Sequence, residues 1–163
     1  MNIEAFQISS QKRKTHNQVF FKQLKLKKPK HLDAVFHQAH ESVFENTDCL
    51  TCANCCKTTS PIFYQQDIER AAKALQMKPG AFITTYLFMD EDGDFVLKEA
   101  PCAFLENDNR CKIYDSRPKA CREYPHTDRK KMHQILDITF RNTLVCPAVL
   151  EIVKRVEEKL NLV

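Results

Sequence analysis

Glycine is nearly absent. The 163-residue chain has only Gly80 and Gly93, so no glycine-rich loop can cradle a nucleotide or S-adenosylmethionine. No apolar run approaches the ~20 residues needed to cross a bilayer. The opening residues Met1-Asn2-Ile3-Glu4-Ala5-Phe6-Gln7 lack the apolar block of a secretory leader. No His-Glu-x-x-His pattern occurs, and the acidic turn Asp90-Glu91-Asp92-Gly93-Asp94 lacks the ligand spacing and closing Glu of an EF-hand. These absences lead us to expect a cytoplasmic protein with no membrane partner. In that compartment thiols stay reduced, and clustered cysteines bind metal more often than they pair.

Cysteine, in contrast, is abundant. Four of the eight fall in Cys49-Leu50-Thr51-Cys52-Ala53-Asn54-Cys55-Cys56. A Cys-x-x-Cys step lets two thiolates curl round one metal while intervening N–H groups point at the sulfurs, and a second step adds a third ligand. The adjacent pair Cys55-Cys56 is expected to diverge, so that one of them serves a second metal or another atom of a cluster. The remaining four are Cys102, Cys111, Cys121 and Cys146, the last followed by Pro147 as in ferredoxin-type runs. Eight thiolates match two four-ligand sites, or one cluster with additional ligands. The spacing is not the Cys-x-x-x-Cys-x-x-Cys of radical S-adenosylmethionine enzymes. The formal charge of +4 is no argument for nucleic acid: eight thiolates with two Zn²⁺, or with two [4Fe–4S]²⁺ clusters, bring it to zero.

The length favours a small single domain with an ample core. Residues 1–30 form a basic segment with one acid, Glu4. We read it as a helix that packs Phe20, Phe21 and Leu24 inward and leaves its lysines in water. A second helix is expected from Pro29 or His31 to Glu45, with Leu32, Val35, Phe36, Ala39 and Val43 at helical spacing. Its Asp33, His37 and Glu41 share a face with ordinary ionic pairs. Asp67 is expected to open another helix, and a short one follows Pro79-Gly80. That second helix is apolar, which argues for packing and against DNA reading. Residues 86–98 read as a β-hairpin turning at Asp92-Gly93, its return strand delivering Cys102 to the first cysteine group. Asp115 or Ser116 should cap a short helix carrying Cys121. Pro147 to Leu160 gives the final amphipathic helix. The fold class is therefore mainly α (α+β), short helices with one hairpin, stapled by cysteine-ligated metal, with residues 31–163 as the cysteine-cluster metal-binding domain.

Cys-x-x-Cys-x-x-Cys-Cys, followed by Pro101-Cys102-Ala103-Phe104-Leu105, Cys111-Lys112-Ile113-Tyr114, Arg117-Pro118 and Cys121-Arg122-Glu123-Tyr124-Pro125, resembles the CxxCxxCC cysteine-cluster family. These are the YkgJ-type zinc- or iron-chelating domains, and the flagellin lysine N-methylases form one branch. The resemblance spans about Cys49 to Cys146. It implies all eight cysteines as metal ligands, without saying which metal. Near them, Arg117 or Arg122 would neutralise a cluster's negative charge, Tyr114 lies beside it, and His126 is a candidate ligand or proton carrier. The function read from the chain is metal binding by clustered thiolates, for iron or an iron–sulfur cluster, in support of redox or protein-modification chemistry. The alternatives are a zinc-stabilised binding module with a protein partner, and a metal-handling protein. Whether the chain is an enzyme is left open by its residues.

Overall fold

The computed structural model describes residues 2–162. In chain order its elements are α1 (Ile3–Lys27), α2 (Leu32–Phe44), α3 (Asn54–Thr58), β1 (Ile62–Phe63), α4 (Gln65–Ala74), α5 (Pro79–Tyr86), β2 (Leu87–Met89), β3 (Phe95–Leu97), α6 (Lys119–Arg122), α7 (Leu136–Asn142) and α8 (Pro147–Leu160). The mainly helical architecture with a small antiparallel sheet is the one the sequence pattern predicts. Two compact units are present: Met1–Cys49 with Pro125–Val163, and Leu50–Tyr124. No described helix is long and apolar enough to cross a membrane.

The first unit is helical. Asn2 starts α1 by accepting from the Ala5 N–H at 3.0 Å, and Lys28, in the left-handed region at φ 44°, ends it by bonding the Leu24 carbonyl. Pro29 then forbids continuation. Phe20, Phe21 and Leu24 are buried with Phe36 from α2 and Val149, Ile152 and Val153 from α8. Each such side chain contributes roughly 1.5–3 kcal/mol on leaving water. Asp33 accepts from the backbone N–H of Lys131 (2.6 Å) and Met132 (2.8 Å), so it works as a cap for the turn before α7. His40 bonds Thr127 through Nδ1 at 2.8 Å and lies against the Phe44 ring. At seven residues, α7 is too short to show a helical period in sequence. Leu136 and Thr139 are buried while Ile138 is 47% exposed.

The second unit is built on the sheet, in the order β1-β3-β2. Leu87 pairs with Leu97 and Met89 with Phe95. Asp90 Oδ1 accepts from the N–H groups of Asp92 and Asp94, and Gly93 takes φ +82°, which only glycine adopts freely. The third strand, β1, pairs Ile62 with Val96; at two residues it gives no alternation to read. Ser60 Oγ accepts from the Leu97 N–H at 2.6 Å and seats the approach to it. α4 begins at Gln65, two residues before Asp67. Asp67 sits instead in the first turn and accepts from the Tyr64 N–H at 3.2 Å, satisfying an otherwise unpaired donor. Phe63, Phe82 and Phe104 form the aromatic core, Phe82 and Phe104 stacked with centroids 5.8 Å apart. Cys102 and Cys111 pack against this core.

Candidate metal centre

The first cysteine group is wound from a 3₁₀ turn at Cys49–Thr51 and the short helix α3. Between them Ala53 is left-handed at φ 47°, which turns the chain so that the Asn54 N–H points at Cys52 Sγ, 3.4 Å away. That is the N–H to sulfur geometry the Cys-x-x-Cys spacing predicts. Lys57 Nζ closes the same turn on the Cys52 carbonyl at 3.0 Å. Cys55 and Cys56 lie in the first turn of α3, and here the expectation of divergence fails: their sulfurs are 4.0 Å apart. Rotation about the two Cα–Cβ bonds is enough to bring neighbouring helical sulfurs into contact.

The second group is delivered to the first by a backbone bond from the Cys102 N–H to the Cys56 carbonyl, 2.8 Å. Residues 102–112 then fold back on themselves. Glu106 bonds Arg110 and Lys112 bonds Phe104, both at 2.8 Å, and Leu105 bridges Cys111. Asn109, left-handed at the turn, donates its side-chain amide to the Leu50 carbonyl at 2.7 Å. The backbone N–H groups of Phe104 and Leu105 aim at the Cys102 sulfur, and that of Ile113 at the Cys111 sulfur. Thus Cys52, Cys102 and Cys111 each receive an N–H from two residues on, a donor set that favours thiolate over thiol.

Cys121 comes from α6, whose cap is Pro118; Asp115 and Ser116 form a separate 3₁₀ turn with Tyr114. α6 is tied to α4 by Asp67. Its carboxylate, 4% exposed, accepts from the Lys119 N–H (3.1 Å) and from Arg70 Nη2 (2.6 Å) as well as from Tyr64. Arg70 Nη2 also reaches the Arg117 carbonyl at 2.6 Å. Sequence reasoning missed Asp67, Arg70 and Asn109. The only signal for Asp67 was an acid in a helix's first turn, and Tyr64 at the cap hides the usual Ser/Thr-x-x-Glu pattern.

The sulfurs of the two groups act on one another, and the Arg117 guanidinium acts on those of Cys56, Cys111 and Cys121. Cys56 is lowered to about 7, first by the hydrogen bond from Cys55, against the opposing effect of burial, with help from Arg117 and Lys57. Burial raises Cys102 and Cys111, and neighbouring sulfurs add to it. Cys121 is pushed up to about 12, by burial first and then by Cys56, Cys102 and Cys111, with Arg117 opposing. A cation placed among these thiols would stabilise the thiolates and so oppose the upward shifts. Arg117 stacks over the Tyr114 ring, 3.4 Å from its centroid, and bonds the Tyr114 carbonyl at 2.7 Å. Arg122 turns back to the Arg117 carbonyl at 2.8 Å. Cys49, Cys146 and His126 belong to the first unit. Cys146 caps α8, and His126 is left-handed at φ 66°.

Among the described residues no disulfide joins any cysteine, and no three His, Cys, Asp or Glu side chains stand in ligating geometry. A metal would have to draw the sulfurs together by side-chain rotation. The donor set is soft sulfur, which suits zinc and iron and disfavours magnesium or calcium.

No curated protein and no solved structure matches the chain. The model of the CxxCxxCC family, described as a putative zinc- or iron-chelating domain, matches residues 48–141. The match contains Cys49, Cys52, Cys55, Cys56, Cys102, Cys111 and Cys121, and stops short of Cys146. It covers more than half of the sequence, and the chain therefore belongs to the CxxCxxCC family.

Proposed function

We propose that the chain binds iron, as a single ion or in an iron–sulfur cluster, through thiolates of the second unit centred on Cys56, Cys102, Cys111 and Cys121. The observation that carries this reading is the backbone bond from the Cys102 N–H to the Cys56 carbonyl, 2.8 Å, which joins the two cysteine groups; Cys121 is raised by Cys56, Cys102 and Cys111, with Arg117 opposing. Four thiolates on a divalent ion leave a double negative charge, and so do four thiolates on a [4Fe–4S]²⁺ core. Arg117 is the group that offsets it. Cys52 and Cys55 bring the thiols of this unit to six, and the Cys-x-x-Cys-x-x-Cys run with its surplus of cysteine over histidine favours iron in a cluster. The chain itself has no nucleotide-binding loop, so a redox or protein-modification reaction would draw on the metal and a partner.

Zinc is the second reading. The 4.0 Å between the Cys55 and Cys56 sulfurs is near the ~3.8 Å edge of a tetrahedron of sulfurs ~2.3 Å from zinc. On that reading the metal replaces core and the protein is a binding module. An ultraviolet–visible spectrum with elemental analysis on anaerobically purified protein separates the two. A brown sample with absorbance near ~400 nm and iron present supports the first reading. A colourless sample with zinc replaces it with the second, and protein that neither carries nor takes up either metal refutes both.

A further inference from the structure

The outer face of α1 is unexplained by metal chemistry. Ile8, Lys12, Thr15, Val19, Lys22 and Leu26 are spaced four, three, four, three and four residues apart, so they form one line along the helix. All six are exposed, the aliphatics to 59% (Ile8), 46% (Val19) and 68% (Leu26). The opposite line, Phe6, Asn17, Phe20 and Leu24, is buried in the unit's core. Some basic residues off this line are paired within the unit, while Lys14 and Lys27, also off it, make no ion pair among the described residues. Arg13 and His16 pair with Glu157 on α8, and Lys25 pairs with Asp137. Lys12 and Lys22, on the outer line, make no ion pair among the described residues. Residues 1–30 hold seven lysines and one arginine against Glu4, a net +7; the chain's total of +4 leaves −3 for the rest. This segment also lies outside residues 48–141, the part matched by the family.

We propose that the outer face of α1 is a docking seam for an acidic amphipathic helix of a protein partner. The line has the spacing of a helix–helix seam over ~27 Å, with apolar positions at both ends and cations between. A helix presenting leucines to Ile8, Val19 and Leu26 and carboxylates to Lys12 and Lys22 satisfies both sets. A second copy does not. Paired antiparallel, Lys12 meets Lys22; paired parallel, each lysine meets itself. A bilayer needs a contiguous apolar stripe, and here Lys12, Thr15 and Lys22 interrupt it. A nucleic-acid phosphate would use the lysines and leave the three aliphatics in water.

The test is fluorescence anisotropy on the full chain, metal-loaded. The probe is a designed peptide about three heptads long, with leucines along its seam and glutamates set to meet Lys12 and Lys22. Saturable binding is expected. It should weaken more than ~10-fold in Lys12→Glu/Lys22→Glu and return when the peptide's glutamates are changed to lysine, a charge swap that a folding defect cannot mimic. Val19→Ser/Leu26→Ser should weaken it with an unchanged thermal melt. Three results overturn the proposal: no saturable binding; tighter binding to phosphatidylserine vesicles or an RNA duplex than to the peptide; or self-association of the chain that Leu26→Ser abolishes.

Discussion

Asp67→Ala tests how the Cys121 helix is held. The carboxylate is 4% exposed, and its three partners are the Arg70 guanidinium at 2.6 Å, the Lys119 N–H at 3.1 Å and the Tyr64 N–H at 3.2 Å. Removing one member of a buried ion pair costs about 3–5 kcal/mol. Arg70 is 33% exposed and can regain water, so the loss belongs at the lower end, about 3 kcal/mol. At about 2–4 °C per kcal/mol for a chain of this size, the melt should fall by roughly 6–12 °C. Asp67→Asn keeps an acceptor oxygen for the backbone N–H groups and should lose about half as much. Because α6 carries Cys121, the alanine variant should also bind metal about 10–100-fold more weakly, as loss of a group supporting a ligand does. Circular dichroism melts and a metal-chelator competition measure the two effects. An alanine variant that melts with the parent and retains its metal would refute the role given to Asp67.

Other outcomes follow from the same structure. In metal-free protein, iodoacetamide should modify Cys56 fastest, its rate rising through about pH 7, and Cys121 slowest, since its thiol stays protonated to about 12; mass spectrometry of timed digests reads the order, and equal rates would contradict it. The linked stability has opposite signs at the two sites. The Cys56 contribution, its folded value being depressed, is present above about 9 and lost as pH falls through about 7; the Cys121 contribution, its folded value being raised, is present below about 9 and lost as pH rises toward about 12. Metal uptake near neutral pH should release about three protons, from Cys102, Cys111 and Cys121, all raised; titration calorimetry in buffers of different ionisation enthalpy counts them, and uptake without release would argue against thiolate ligation. Phe82→Ala, at a fully buried ring between Phe63 and Phe104, should destabilise the second unit by about 3–5 kcal/mol, read by urea unfolding.

Long helices were legible because their apolar period repeats several times. α1, α2 and α8 are predicted to within a few residues, with Pro29 and Pro147 marking boundaries. The hairpin was legible from its Asp92-Gly93 turn. The elements β1 and α7 were not: they are shorter than any period that could reveal them, and they exist through pairing with β3 and burial of Leu136 and Thr139. In the candidate centre, residue identity came from the cysteine spacing together with the family resemblance. The meeting of Cys102 with the first cysteine group was legible from the hairpin's return strand, and the bond to Cys56 agrees with it; the cross-links Asp67 to Lys119 and Asn109 to Leu50 were not, because they join residues far apart in sequence. The closeness of Cys55 and Cys56 depends on side-chain rotation, which no spacing rule encodes.

X-ray absorption at the metal edge of the purified, metal-loaded full chain tests thiolate ligation most directly. We predict a first shell of about four sulfurs near ~2.3 Å, with an iron–iron distance as well if a cluster is present. A shell of oxygen or nitrogen at ~2.0–2.1 Å, with no sulfur, would contradict the assignment of these cysteines as the metal's ligands.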